Sequence, residues 1–298
     1  MASEGGLGEV AGDPAPRSDG VAVITGGSGG VGLACAELLG RERRVLIGTR
    51  TPEQVGPAVE RLRAQGVEAE GMACDVTDRT AVRALADRAA SLGPLAVLVH
   101  AAGMSRSTGD GPRIMEVNLV GTALVLDAFA GHAGPGTAAV CVASIGGHRD
   151  GLREFDAALL DDPAGDGFLE RFGQRLPLAG RPAAAYDLSK RGVVLLAQQR
   201  AHEWARRGAR LVSVSPGVVD TEMGRREGGA ETVAKIAALG RAGTASEIAA
   251  VIAFLCSPAA SYVTGCDLVL DGGTLAGIAY QAPPEVAEGW GRLREEPA

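Results

Sequence analysis

A chain of 298 residues, 46% of them hydrophobic, is long enough to bury one large core, so we expect a single domain. The net charge of −7, with no cluster of basic residues, argues against nucleic acid or an anionic membrane as a partner. No apolar run approaches the ~20 residues of a membrane span, and the five cysteines are scattered as free thiols are in a reducing compartment. These features predict a soluble, cytoplasmic protein.

The beginning of the chain predicts a strand, a glycine-rich turn and a helix. Residues 1–19 hold Gly, Pro, Ala and acidic residues without periodicity, which predicts a disordered tail. Residues 21–24 are an apolar run typical of a buried parallel strand, and a helical run extends through Leu39. Between them, residues 25–32 read Thr-Gly-Gly-Ser-Gly-Gly-Val-Gly. Glycines at a helix start let backbone N–H groups and the helix dipole face a pyrophosphate, so we expect an anion cradle.

Two other readings of the glycine-rich turn need to be weighed. A P-loop is excluded, because no Gly-Lys-Ser/Thr follows the glycines. A turn that is merely tight, with no ligand, stays open.

The end of the second strand, predicted over residues 44–48, indicates the type of cofactor. An acidic residue roughly 20 positions after the glycines would bind a ribose 2′-hydroxyl, whereas an arginine accommodates a 2′-phosphate. This region carries Thr49 and Arg50, which favours NADP(H) over NAD(H). The alternative is that Arg50 is only a solvated surface residue.

The rest of the chain alternates predicted helices and strands. Helices are expected over residues 52–65, 78–91, 113–131 and 245–256, and strands over residues 67–73, 95–99, 137–144, 210–214 and 267–270. This alternation predicts an α/β fold with helices on both faces of a parallel sheet. Asn118 is a poor residue for the middle of a helix, which indicates a kink or a bound water there. None of the four histidines has a neighbour at metal-ligand spacing, so we expect no metal.

Tyr186 and Lys190 are the strongest candidates for chemistry. They lie four residues apart in a predicted helix, which places the ring and the ammonium on one face. A tyrosine phenol has a pKa of about 10, and a fixed cation nearby lowers that pKa toward neutrality. The chain has only two lysines among 29 basic residues, which suggests that a guanidinium would not serve at position 190. A chance Tyr-x-x-x-Lys spacing is the alternative.

These motifs, in this order, resemble the short-chain dehydrogenase/reductase family over nearly all of residues 20–275. Residues 25–32 are similar to the family's T-G-x-x-x-G-x-G and residues 186–190 to its Y-x-x-x-K, while residues 100–103 correspond to its N-N-A-G with His100 and Ala101 in place of two asparagines. The resemblance implies a single Rossmann-type domain, a doubly wound parallel sheet of strand order 3-2-1-4-5-6-7. It leaves residues 276–298 as a C-terminal extension.

The resemblance also implies the site residues. Tyr186 would be the general acid that protonates a ketone oxygen, Lys190 would lower its pKa and hold the nicotinamide ribose, Ser144 would hydrogen-bond the substrate oxygen, and Asn118 would hold a proton-relay water. Thr221 would bind the nicotinamide carboxamide. The implied cofactor-binding residues are Thr25, Gly26, Ser28, Gly30, Val31, Gly32, Arg50, Asp75, Val76, Ala101, Ala102, Gly103, Tyr186, Lys190, Pro216, Gly217 and Thr221.

The expected function is therefore NADPH-dependent reduction of a small-molecule ketone, in natural-product metabolism, by a homodimer or homotetramer. Two alternatives remain open: an NAD-dependent alcohol dehydrogenase of the hydroxysteroid type, and a dinucleotide-sensing relative without catalysis.

The stretch between Ser144 and Tyr186 is longer than in most members of that family. The extra residues, 148–181, contain three of the five phenylalanines, Phe155, Phe168 and Phe172, besides several leucines. This composition predicts one or two short amphipathic helices, broken near residues 163–165. Because the stretch leaves the strand end that bears Ser144, we expect its Phe and Leu side chains to wall a pocket for a bulky apolar ketone. The alternative is a surface excursion that packs on its own apolar face.

Overall fold

The computed structural model describes residues 20–227 and 235–292. The predicted tail, residues 1–19, lies outside the described residues, as do residues 293–298 of the predicted C-terminal extension.

A seven-stranded parallel sheet is the centre of the molecule. The strands, in chain order, are β1 (Val21–Thr25), β2 (Arg44–Thr49), β3 (Ala69–Ala73), β4 (Leu95–His100), β5 (Ala138–Val142), β6 (Arg210–Pro216), β7 (Val219–Asp220), β8 (Gly243–Thr244) and β9 (Asp267–Leu270). The main sheet has the order β3-β2-β1-β4-β5-β6-β9, while β7 and β8 pair only with each other. The predicted doubly wound order is confirmed, with β9 as the seventh strand of the sheet.

Burial explains why the strands could be recognised from their apolar runs. Every residue of β1 is buried, because helices cover both faces of the sheet there. β9 lies at the edge and none of its residues is fully buried. The predicted strand over residues 67–73 begins two residues later, at Ala69, and the one predicted over residues 137–144 ends at Val142. Strand ends are where an apolar pattern carries least information.

The helices form one layer on each face of the sheet. They are α1 (Gly30–Leu39), α2 (Pro52–Ala64), α3 (Arg79–Leu92), α4 (Gly111–Met115), α5 (Gly121–Ala130), α6 (Asp156–Leu159), α7 (Phe168–Arg175), α8 (Pro182–Ala205), α9 (Glu222–Glu227), α10 (Ala245–Cys256), α11 (Thr274–Tyr280) and α12 (Pro284–Gly291). One hydrophobic core packs α1, α2 and α10 against the sheet. The other packs α3, α4, α5 and α8 against the opposite face.

Residues 111–130 form one helix that is interrupted at Asn118. A π-helical turn, Glu116–Val120, joins α4 to α5, and Gly121 N–H donates to Glu116 O at its end. The sequence predicts a kink or a bound water at this asparagine, and the distortion takes the form of this turn. π-Helical turns occur frequently at functional sites.

The stretch between Ser144 and Tyr186 holds a 3₁₀ helix, Asp150–Phe155, followed by α6 and α7. Its three phenylalanine rings pack together, with Phe155 6.2 Å and Phe168 6.0 Å from Phe172 between centroids. Phe168 and Phe172 are buried in the same core as α8. Arg191, on α8, donates to the two carboxylate oxygens of Asp156, from Nε at 2.8 Å and from Nη2 at 2.6 Å. The stretch is therefore fastened to the body of the domain.

Candidate active site

A cavity of about 900 Å³ opens at the carboxyl ends of the central strands. This is the edge of a doubly wound sheet where ligands bind. The cavity is lined by every residue that the sequence predicts for the site except Thr25 and Asn118, namely Gly26, Ser28, Gly30, Val31, Gly32, Arg50, Asp75, Val76, Ala101, Ala102, Gly103, Ser144, Tyr186, Lys190, Pro216, Gly217 and Thr221. Thr25 and Asn118 are buried, at 1% exposure each.

The glycine-rich turn has the shape that a pyrophosphate needs. Gly26 has a φ of +70°, and a side chain on Gly32 would collide with the Gly26 carbonyl oxygen, so both positions require glycine. At Gly29, by contrast, an added Cβ would meet no atom within 4 Å. Gly29 lines the cavity and precedes α1, so a ligand can approach the first backbone N–H groups of that helix. The turn therefore fits the phosphates of a dinucleotide.

Beneath this turn, His100 bridges two threonines. Its Nδ1 lies 2.7 Å from Thr25 Oγ1, and its Nε2 lies 3.0 Å from Thr122 Oγ1. The Thr122 hydroxyl donates to Asn118 O at 2.5 Å, so it accepts from Nε2–H. The Thr25 hydroxyl then donates to Nδ1 and also accepts the Ala102 N–H at 3.4 Å. This chain of hydrogen bonds connects the ends of β1 and β4 to the π-helical turn.

His100 is uncharged at neutral pH. Burial, together with the nearby positive charge of Lys190, lowers the pKa of its imidazole to about 3. The sequence shows only that histidine replaces an asparagine of the family pattern, because the two threonine partners are distant in the chain.

Tyr186 and Lys190 share one face of α8, as their spacing predicts. Lys190 Nζ lies 5.9 Å from the centroid of the Tyr186 ring and donates to Val142 O at 2.9 Å. That carbonyl is two residues before Ser144, whose hydroxyl accepts the Gly146 N–H at 3.2 Å. A Cβ on Gly146 would lie 3.4 Å from the Tyr186 ring, so this glycine sets the turn after Ser144 directly beside the tyrosine.

Asn118 connects two walls of the cavity. Its Oδ1 accepts the Met104 N–H at 2.7 Å, and its Nδ2 donates to Met104 O at 3.0 Å and to Ser189 Oγ at 3.1 Å. The Ser189 hydroxyl in turn donates to Tyr186 O at 2.7 Å. The Asn118 side chain thus fixes the loop after β4 against α8, and both its amide oxygen and its amide nitrogen hydrogen-bond to protein atoms.

The opposite end of the cavity carries Arg50 and Asp75. Arg50 follows β2 directly and is exposed. The Asp75 carboxylate accepts the N–H and hydroxyl of Thr77 and forms a 3.0 Å ion pair with Arg113. Partial burial alone would raise the pKa of Asp75, but the Thr77 hydrogen bonds and the Arg113 charge outweigh it and lower the pKa. The Cys74 thiol beside it stays protonated, since burial raises its pKa to about 12.

The segment after β6 closes the cavity over the glycine-rich turn. A Cβ added to Gly30 would lie 3.6 Å from the Thr221 methyl group, so Thr221 faces this glycine. The Thr221 hydroxyl accepts the Gly224 N–H at 3.1 Å, which fixes the start of α9.

The expectation that the Phe and Leu residues of the stretch 148–181 wall the pocket is wrong. Its five most buried large side chains pack into the core and are Leu152, Leu159, Phe168, Phe172 and Leu178. Among residues 148–181, the cavity is lined by Arg149 alone. Part of the cavity's apolar wall comes instead from Ile278, Val286 and Trp290 in the C-terminal helices. The sequence past residue 275 carries no motif, so it did not predict that these three residues line the cavity.

The described residues, 20–227 and 235–292, contain neither a group of side chains suited to a metal ion nor a membrane-spanning helix. Within them, no three His, Cys, Asp or Glu side chains are grouped closely enough to hold a metal ion. In the same ranges, no helix is long and apolar enough to cross a membrane.

Family models and known proteins are similar to this chain over most of its length. The family model "short chain dehydrogenase" matches residues 20–154, and the model "Enoyl-(Acyl carrier protein) reductase" matches residues 178–274. The "Short-chain dehydrogenase/reductase bsc3" of Alternaria brassicicola is 30% identical, with 84% of this chain and 94% of that protein covered. D-threitol dehydrogenase of Mycolicibacterium smegmatis is 32% identical, with 86% of this chain and 94% of that protein covered.

A similar solved structure is that of a variant of actinorhodin polyketide ketoreductase with NADPH. It matches with a TM-score of 0.68 at 28% identity, with 87% of this chain and 98% of that one covered. The chain belongs to the short-chain dehydrogenase/reductase family, and it is a nicotinamide-dependent oxidoreductase acting on CH–OH groups.

Proposed function

We propose that this protein is an NADPH-dependent ketoreductase that reduces a small-molecule ketone to a secondary alcohol, with a role in natural-product metabolism. The observation that carries the proposal is that one cavity has Tyr186 and Lys190 at one end and Arg50 at the other. β2 and β5, which precede these ends, are three strand intervals apart in the sheet, or about 14 Å. An extended dinucleotide is long enough to connect them.

The cofactor would be held along the strand ends. The glycine-rich turn and the start of α1 would take the pyrophosphate, Arg50 the 2′-phosphate, and Asp75 and Val76 the adenine. Ala101, Ala102 and Gly103 allow close approach of the ribose, and Pro216, Gly217 and Thr221 would hold the nicotinamide. When bound, the cofactor supplies the hydride.

The chain's own residues manage the proton. Tyr186 would donate its hydroxyl proton to the ketone oxygen as the carbonyl carbon is reduced, and Ser144 would donate a hydrogen bond to the same oxygen. The ammonium of Lys190 stabilises the tyrosinate that remains, which then recovers a proton from solvent. Asn118, which ties Met104 to α8, would keep Tyr186 and Lys190 in register.

A second candidate is NAD-dependent oxidation of an alcohol, because two relatives are named D-threitol dehydrogenase and galactitol 2-dehydrogenase. A third, dinucleotide sensing without catalysis, would leave the Tyr186–Lys190 pair unexplained. We also propose that the protein is a homodimer or homotetramer. Light scattering, which measures the molar mass in solution, tests this.

The experiment is a panel of open-chain and cyclic ketones and their alcohols, assayed with NADPH, NADH and the oxidised cofactors. We expect steady NADPH oxidation with at least one ketone and a lower kcat/KM with NADH. Turnover of alcohols with NAD⁺ alone would establish the second candidate. No turnover with any substrate, in protein that binds NADPH, would contradict both the ketoreductase and the alcohol dehydrogenase candidates.

A further inference from the structure

The C-terminal helices form a wall of the cavity that the proposed mechanism does not use. Ile278 on α11 and Val286 and Trp290 on α12 all line the cavity. They are apolar, and Trp290 is only partly buried, so part of its ring faces open space.

One buried side chain holds this wall in place. Arg149 is 6% exposed, and its Nη1 donates to the carbonyl oxygens of Gly289 at 3.0 Å and Trp290 at 3.2 Å. Its guanidinium carbon also lies 4.2 Å from the centroid of the Trp290 ring, a cation–π contact. These contacts fix the end of α12 and the orientation of its indole.

The same arginine connects the wall to the reacting residues. Arg149 Nε lies 2.8 Å from the carboxylate of Asp187, which is fully buried and follows Tyr186 directly. A Cβ on Gly146 would lie 2.5 Å from that carboxylate and 3.4 Å from the Tyr186 ring. Trp290 is therefore connected through Arg149 and Asp187 to the Ser144–Tyr186 end of the cavity, opposite the end that carries Arg50.

We propose that Trp290 is a specificity-determining residue whose indole packs against the ring system of a cyclic or aryl ketone, and that Arg149 is the positioning residue that holds it there. The inference rests on the proposed ketone reduction and names its substrate class. An indole offers a large rigid apolar face at low entropic cost, which suits a planar ring better than a short open chain. The guanidinium of Arg149 packs over the ring and so fixes the orientation of the indole in the cavity wall.

Two ketones and two binding measurements test this. α-Tetralone serves as the ring-bearing substrate and butanone as the open-chain one, each with NADPH. We expect Trp290→Ala to raise KM for α-tetralone about tenfold, with kcat and the KM for butanone nearly unchanged. Trp290→Phe, the conservative control, should keep KM for α-tetralone within about threefold of wild type. Affinity for NADPH should be the same in all three proteins.

Arg149→Lys keeps a positive charge beside Asp187 but loses the planar group that serves the carbonyls and the ring. We expect a rise in KM for α-tetralone, smaller than that of Trp290→Ala, and no further rise in the double variant. Additive increases in the double variant would overturn the positioning role.

A fluorescence titration tests the inference without turnover. The chain has two tryptophans, and Trp204 is buried at 0% exposure. We expect α-tetralone to quench the emission of wild-type protein but not that of Trp290→Phe, whereas butanone quenches neither. Equal quenching of both proteins, or equal changes in KM for both ketones, would overturn the inference. Failure of the proposed function shows itself differently, as quenching by α-tetralone without any NADPH oxidation.

Discussion

His100 Nδ1 lies 2.7 Å from the hydroxyl oxygen of Thr25, with the whole contact buried below the glycine-rich turn. Through Thr122, the same imidazole reaches the π-helical turn at Asn118. The glycine-rich turn and the π-helical turn at Asn118 are therefore supported by a single neutral ring.

Replacement of this ring should change the pH dependence of stability. In the folded protein the pKa of His100 is about 3 rather than its ordinary 6.5, so the unfolded chain binds one more proton between these values. The stability that the neutral ring contributes is fully present above pH 6.5 and is lost as pH falls toward 3. We expect His100→Asn to cost about 1–3 kcal/mol near neutral pH, because the shorter amide cannot reach both threonines. Below pH 6.5 this cost should shrink by up to about 1.4 kcal/mol per pH unit.

Urea unfolding of both proteins at several pH values between about 7.5 and 5 measures this difference. A difference in the free energy of unfolding that stays constant over this range would mean that the pKa of His100 is the same in the folded and the unfolded chain.

Tyr186→Phe removes the transferable proton and keeps the ring. We expect kcat to fall by roughly 10² or more, with little change in the affinity for NADPH. Steady-state rates and a titration of NADPH fluorescence give the two values. A variant that keeps more than about a tenth of the wild-type kcat would show that Tyr186 is not the acid.

Arg50→Ala should reduce the preference for NADPH. Arg50 is exposed at the end of β2, where charge-assisted hydrogen bonds to a 2′-phosphate can form without disturbing the core. We expect weaker NADPH binding and unchanged NADH binding, measured as dissociation constants for both cofactors. Arg226, which also lines the cavity but pairs with Glu222, is the matched control. If the two dissociation constants of Arg50→Ala keep the wild-type ratio, another residue selects the cofactor.

Phe172→Ala tests whether the stretch after Ser144 belongs to the core. The Phe172 side chain is 2% exposed and contacts two other phenylalanine rings, so its removal should lower the free energy of unfolding by about 3–5 kcal/mol. KM for ketones should stay near the wild-type value in the folded variant. Phe254→Ala is the control, because Phe254 is 50% exposed and the same truncation should cost under about 1 kcal/mol. A shift in KM with little loss of stability would instead place Phe172 at the substrate.

The sequence was sufficient for the features that depend on local pattern. Buried parallel strands have apolar runs, and four-residue spacing in a helix aligns Tyr186 with Lys190, so the strands and this pair could be predicted from local pattern. The sheet order and the other cavity-lining residues followed from the resemblance to the short-chain dehydrogenase/reductase family. The cavity wall at Trp290 could not be predicted, because Arg149 is 140 positions away from the carbonyl that it binds at Gly289. The position of Phe172 in the core could not be predicted either. An apolar helix face indicates that it is buried but not which surface it packs against.

Arg149 also has a consequence for how the chain folds during synthesis. Burial lowers the pKa of this guanidinium even though Asp187 opposes that change, so its charge is costly to enclose. Asp187 leaves the ribosome about a hundred residues before Gly289 and Trp290 do, and translation adds some 5–20 residues per second. For those seconds the nascent domain lacks the carbonyl groups of Gly289 and Trp290 that bind this guanidinium, so we expect closure of the active-site end to be a late event of its folding.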